Sequence, residues 1–227
     1  MKTWNSPKNL EIFASAPICV LTGGTGDLAR ALEAELKIQG WKVLAPSRTE
    51  LDVTNSDAIK AFFGTLSKLD MLVNCAGELY DSLLTQLTIQ QWDASCAVNL
   101  TGAFLCAQAA APLMKPPHGG SVVFLSSGSA KFGNVGQANY AAAKAGLIGL
   151  VQSLAREWGK SNIRLHCVLP GYMETRMTAH LKREASDHAL ERFNTIRETA
   201  RFIVFLHSLS HTSGQVFQLD SRIGRFF

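Results

Sequence analysis

Short apolar runs alternate along this chain with stretches of helical periodicity. Ile18–Thr22, Lys42–Pro46, Met71–Asn74, Val122–Ser126, Arg164–Leu169 and Val216–Leu219 read as strands, and Leu51-Asp52-Val53 as a further short one. Between them, Leu28–Gln39, Ser56–Leu66, Thr88–Met114, Ala138–Trp158 and Thr199–Leu209 carry apolar residues at helical spacing. Gly40 stops the first of these helices, and Asn55 or Ser56 caps the second. A break is expected in the third around Asn99–Gly102. Strands alternating with helices make parallel βαβ units, which predicts an α/β doubly wound sheet of about seven strands with helices on both faces. Residues 1–16 read as a polar N-terminal arm, and 17–227 as a single domain without linker or internal repeat.

Bulk composition narrows the function classes. A chain of 227 residues with 47% apolar and 18% charged residues can bury one large core. The net charge of +4 biases it toward acidic partners, but no dense Lys/Arg run with interleaved aromatics suggests nucleic acid. Five scattered cysteines with no CxxC predict buried, reduced thiols in a reducing compartment. No Cys/His spacing suits a metal, and the His207/His211 spacing has no carboxylate partner nearby in sequence. No apolar leader and no uninterrupted run of about 18 apolar residues is present, so a cytoplasmic protein that does not enter the membrane is expected.

The chemistry concentrates in the second half. Tyr140 and Lys144 are four residues apart, and so share a helix face. A cation beside a phenol favours the phenolate, which suits proton exchange with a carbonyl oxygen. Ser127 follows an apolar strand, thirteen residues before the Tyr, and can hold the same oxygen. Alone, a Tyr/Lys pair at this spacing is more often a solvated helix face. The N-terminal end alters that balance. The first strand runs through Thr22-Gly23-Gly24-Thr25-Gly26-Asp27-Leu28 into a helix. Such a turn lets backbone amides and a helix N-terminus meet a pyrophosphate. An acid at Asp27 suits the helix dipole but not a neighbouring phosphate, so its side chain is expected to turn away. Past the second strand, Ser47, Arg48 and Thr49 offer donors for a ribose 2′-phosphate, favouring NADP(H) over NAD(H), with Glu50 close behind. Asp52 reads equally as an adenine contact or as a loop carboxylate.

Together these residues resemble the short-chain dehydrogenase/reductase family over residues 17–222. The resemblance is densest at Leu125-Ser126-Ser127, at Gly133 to Gly146, and at Pro170-Gly171-Tyr172-Met173-Glu174-Thr175. Within the family, these stretches are most similar to 3-oxoacyl-[acyl-carrier-protein] reductases. The resemblance implies a Rossmann-type sheet with strand order 3-2-1-4-5-6-7 and a catalytic set of Asn99, Ser127, Tyr140 and Lys144. Tyr140 would be the acid/base, Lys144 would tune it and grip the nicotinamide ribose, Ser127 would orient the carbonyl, and Asn99 would hold a relay water. It further implies that Asp52-Val53 meets the adenine, that Asn74, Ala76 and Gly77 line the adenosine, and that Pro170, Gly171, Met173 and Thr175 embrace the carboxamide. The implied reaction is NADPH-dependent ketone reduction in fatty acid biosynthesis, with a 3-oxoacyl thioester as best substrate, by a homodimer or homotetramer.

The chain departs from the family pattern in places. Asp27 and Ala29 stand where the family has Gly, the link from Arg48 to Leu51 is short, and so is the segment from Thr175 to Thr199. Basic residues that would grip a carrier protein are matched only by His118 and Lys160 nearby. These departures keep two alternatives open: reduction of another small ketone, and a non-catalytic NADP-binding scaffold.

Overall fold

A computed structural model describes residues 16–179, 184–186 and 188–222. The proposed N-terminal arm lies outside them, except for its last residue. The sheet is parallel throughout and six-stranded, ordered β2-β1-β3-β4-β5-β6. Its strands are β1 (Ile18–Leu21), β2 (Lys42–Leu44), β3 (Met71–Asn74), β4 (Gly120–Leu125), β5 (Ile163–Leu169) and β6 (Gln215–Gln218). The helices are α1 (Asp27–Ile38), α2 (Ser56–Gly64), α3 (Ile89–Cys96), α4 (Gly102–Ala110), α5 (Ser129–Phe132), α6 (Ala138–Trp158) and α7 (Ile196–Ser208).

The order is the expected one with a strand missing. Leu51-Asp52-Val53 is not a strand, so the expected seven become six. A parallel neighbour needs a crossover of about a dozen residues, and the link after β2 is too short for one. Instead Glu50 and Leu51 both donate backbone bonds to the Ser47 carbonyl, turning the chain back on itself. Leu51 and Val53 then bury against the core rather than pairing with β2.

Alternation along the strands splits the core in two. Val20, Leu72, Val122, Phe124 and Leu165 face a cluster shared with α2, α4 and α6. Cys19, Leu21, Met71, Val73, Val123 and Val168 face the other, shared with α1 and α7. Both faces being covered explains why the strands read as unbroken apolar runs.

The expected break at Asn99–Gly102 is a π-helical turn, Ala97–Thr101, inside one continuous helix. The amide of Gly102 reaches back to the Ala97 carbonyl, and the Asn99 side chain donates to the Ser95 carbonyl at 3.0 Å. The wider turn therefore keeps its polar groups engaged without unwinding. By length and composition, Ile89–Leu113 could cross a membrane, yet it packs on α2, α6 and β3 within the fold.

His166 lies within β5, wholly buried, its ring tilted against Phe217. Burial pushes its imidazole down to about 4. The folded chain therefore keeps it neutral where the unfolded chain protonates, so stability is lost as pH falls from about 6.5 to 4. The fall from 6.5 to about 4 corresponds to roughly 3 kcal/mol at most. His207, half-buried and also lowered to about 4, acts in the same direction. Urea midpoints at pH 7.5 and 4.5 should differ clearly less in His166→Leu than in the parent protein; equal differences would show that His166 is not the acid-sensitive group.

Candidate active site

A cavity of about 420 Å³ opens at the C-terminal ends of the strands. Ligands collect there in doubly wound sheets, because loops and helix N-termini converge at that edge. Among the residues expected from sequence, Thr25, Gly26, Asp27, Leu28, Gly77, Ser127, Tyr140, Lys144, Pro170, Gly171, Met173 and Thr175 line it. Thr22 lies beneath, where its hydroxyl accepts from the Ala76 amide at 3.1 Å. Ser47, Arg48, Asp52 and Val53 lie apart, past the end of β2, and do not line the cavity.

Tyr140 and Lys144 share a face of α6, with the Lys144 Nζ 5.6 Å from the phenol ring centre. Ser127 stands beside Tyr140 at the cavity wall; its oxygen accepts from the Ser129 amide at 3.1 Å and its hydroxyl donates to Ser129 Oγ at 3.2 Å. The electrostatics differ from expectation. Burial pushes the Tyr140 phenol up to about 12, the Ser127 hydroxyl opposing only part of that rise. Burial also draws Lys144 down to about 8. The lysine is almost fully buried, and its Nζ donates to the Leu125 carbonyl at 2.9 Å, not to the phenol.

Asn99 is buried and holds the Glu78 backbone from both sides. Its Oδ1 accepts from the Glu78 amide at 3.2 Å and its Nδ2 donates to the carbonyl at 2.9 Å. It does not itself line the cavity. It lies close to Lys144 all the same: a Cβ at Gly77 would stand 3.2 Å from Asn99 Oδ1 and 3.6 Å from Lys144 Nζ.

The glycine-rich turn is shaped for a close ligand. Gly23 has φ +64°, and a Cβ there would meet Ala76 Cα at 2.9 Å. A Cβ at Gly24 would meet the Ala45 carbonyl oxygen at 2.0 Å, so the turn packs flat on the end of β2. Past it, α1 begins at Asp27 without a side-chain cap from Gly26, leaving amides turned to the cavity edge. Asn74 is buried at the end of β3 with neither side-chain atom hydrogen-bonded. A flat glycine turn, an uncapped helix start and orphaned amide atoms behind them fit a dinucleotide.

At the opposite end, Ser47 donates its amide and hydroxyl to Glu50 at 2.8 and 2.7 Å, and Arg48 pairs with Glu78 at 3.7 Å. The Ser47 donors are thus taken up by the Glu50 carboxylate, while the Arg48 guanidinium faces Glu78. Asp52 Oδ1 accepts from the Thr54 amide and hydroxyl, a local turn. Val53 is buried under Gly102.

Sequence reasoning gave several cavity residues no place in the site. Tyr172 and Phe193 meet with their rings tilted at 56° and centroids 4.5 Å apart, and Arg222 lies over Phe132 while pairing with Asp220. Arg176 binds Asp27 with Nε–Oδ1 at 2.8 Å. The Asp27 side chain is held at the cavity by a partner 149 residues away, which no local pattern could reveal.

A parallel doubly wound sheet with a glycine turn after its first strand defines a Rossmann-type fold, here with a Ser, a Tyr and a Lys lining one cavity. The chain belongs to the short-chain dehydrogenase/reductase family: residues 20–221 match the family described as Enoyl-(Acyl carrier protein) reductase. It is 34% identical over 235 residues to a 3-oxoacyl-[acyl-carrier-protein] reductase of Thermotoga maritima, covering 89% of this chain and 96% of the relative. It is 35% identical over 233 residues to the Mycobacterium tuberculosis reductase of the same name, covering 93% and 94%. A Synechocystis reductase, again of that name, is 34% identical over 207 residues, covering 87% and 83%.

Proposed function

We propose that this protein reduces a ketone to a secondary alcohol at the expense of NADPH, with a 3-oxoacyl thioester as substrate and fatty acid biosynthesis as its setting. The observation that carries this reading is the Ser127–Tyr140–Lys144 arrangement at the cavity wall. When bound, the nicotinamide supplies hydride. Tyr140, neutral at pH 7 with its phenol pushed up to about 12, gives its proton to the carbonyl oxygen. Ser127 offers a second hydroxyl to that oxygen. Lys144, charged below about pH 8, supports the phenolate left behind. Asn99 acts by fixing Glu78 and the Gly77 turn beside Lys144, where a relay water would be held.

The matched family description names carbon–carbon double-bond reduction, whereas the relatives above are named for the 3-oxoacyl reaction. Two hydroxyls converging on a single acceptor favour a carbonyl oxygen. Residues 17–227 then act as one cofactor-binding and catalytic domain. Phe104 on α4 is exposed and suits pairing of the long helices in a homodimer or homotetramer. The cysteines are unpaired and the buried ones have raised thiol pKa values, which fits a cytoplasmic setting.

The direct test follows oxidation of NADPH and of NADH with an acetoacetyl thioester as acceptor. Rapid oxidation with NADPH is expected; turnover only with free ketones would replace the thioester by a smaller substrate. NADPH binding without turnover on any ketone would favour the scaffold reading. Arg48→Ala should cut the preference for NADPH over NADH about tenfold, the loss of one charge-assisted phosphate contact. An unaltered preference would remove Arg48 from the 2′-phosphate site.

A further inference from the structure

The Asp27–Arg176 pair spans the cavity from the first turn of α1 to the loop after β5. Asp27 accepts twice from the same residue, from the Arg176 amide at Oδ2 and from Nε at Oδ1, both at 2.8 Å. A third bond runs from the guanidinium to the Thr25 carbonyl, inside the glycine turn. These contacts hold the Asp27 carboxyl below its ordinary range, the Arg176 amide contributing most. The guanidinium is thus tied to the turn that would carry a pyrophosphate, and Arg176 lines the cavity.

Charge makes the arrangement informative. A carboxylate at a helix start is favourable in itself but repels a ligand with two phosphates. A plain neutraliser of Asp27 could be any cation reaching it from the solvent side. Arg176 instead reaches over the turn and binds the Thr25 carbonyl, leaving further N–H donors on the cavity side. Guanidinium donors presented in a fixed fork match phosphate oxygens.

We propose that Arg176 is a cofactor-binding residue that contacts the pyrophosphate, and that Asp27 is the positioning residue that holds it there. The inference rests on the NADPH reading above. Within it, Asp27 is a tether for a cation, which replaces part of the backbone contact that glycine would otherwise give.

The test is a binding cycle read by nicotinamide fluorescence on the parent protein, Arg176→Ala, Asp27→Asn and the double variant. Arg176→Gln serves as a second, bulk-conserving variant. Arg176→Ala should weaken NADPH at least tenfold and flatten its salt dependence. Removing Asp27 alone should alter affinity no more than about threefold, since tether and repulsion are lost together. The decisive comparison is Arg176→Ala in the Asp27→Asn background. A loss there of about threefold or more, smaller than the loss with Asp27 in place because the tether is gone, supports a phosphate contact held by Asp27. No loss there overturns the proposal, because Arg176 would then only neutralise Asp27. Adenosine 2′-monophosphate, which lacks the pyrophosphate, should bind all variants alike; parallel weakening of it would also overturn the proposal. If the parent protein binds neither dinucleotide, the function reading fails and the proposal with it, whereas binding with a flat cycle removes the proposal alone.

Discussion

Tyr140→Phe is expected to lower turnover by a factor of about 10² to 10⁴, the usual contribution of a positioned general acid, while leaving NADPH binding within a few-fold. The substitution deletes one hydroxyl and keeps the ring, so the half-buried wall of the cavity retains its shape. Three features make that hydroxyl decisive. Its proton is present at neutral pH because burial pushes the phenol up to about 12. Ser127 lines the same cavity wall, and Lys144 stands one helical turn away. Ser127→Ala should give a smaller loss, since Tyr140 would keep its proton while the carbonyl oxygen loses its second hydroxyl. Single-turnover oxidation of NADPH, with a separate fluorescence titration, distinguishes chemistry from binding. Unchanged turnover in Tyr140→Phe would end the assignment of Tyr140 as acid.

The alternative of a binding-only scaffold is answered by the same variant. A scaffold has no use for a buried lysine beside a phenol, since burying a charge costs several kcal/mol unless something compensates. Here the compensation visible in the fold is small, one carbonyl acceptor from Leu125. Chains do not keep such a group in a core for packing, where a Met or Leu would serve.

Much of this was legible from sequence, and the limits have physical reasons. Strands covered on both faces give unbroken apolar runs, and these marked β1, β3, β4 and β5 within a residue or two. Leu51-Asp52-Val53 misled because its apolar residues are buried as a strand's would be, while its backbone turns. The π turn at Ala97–Thr101 was read as a break because small and polar residues gather there. Tyr140 and Lys144 were legible because i, i+4 spacing is local geometry. Their proton affinities were not, since those follow from burial by residues distant in sequence. Arg176 was invisible for the same reason: its meaning lies in Asp27, at the other end of the chain.

Lys144→Met gives the second large effect, with opposite signs for function and stability. Turnover should fall on the scale of the Tyr140 variant, because the phenolate loses its cation. Stability near neutral pH should rise. Burial draws Lys144 from 10.5 down to about 8, so the folded chain carries this charge at a cost of roughly 3 kcal/mol below pH 8. Between about pH 8 and 10.5 the unfolded chain holds more protons than the folded one, so that cost fades as pH rises through the window. Met fills similar space without the charge, but leaves the Leu125 carbonyl short of a donor, worth about 1–2 kcal/mol. The balance is a gain of roughly 1–2 kcal/mol at pH 7, or a few degrees in Tm for a chain of this size, shrinking above pH 8 and turning into a loss of about 1–2 kcal/mol by pH 10.5, where a neutral lysine still donates to Leu125 and Met does not. Thermal melts of both proteins at pH 7, 9 and 10.5 would trace this. A variant less stable than the parent at pH 7 would mean that the lysine is held by more than its bond to Leu125. A gain that shrinks with pH, joined to lost turnover, would mean that the chain gives up stability to keep a cation beside Tyr140.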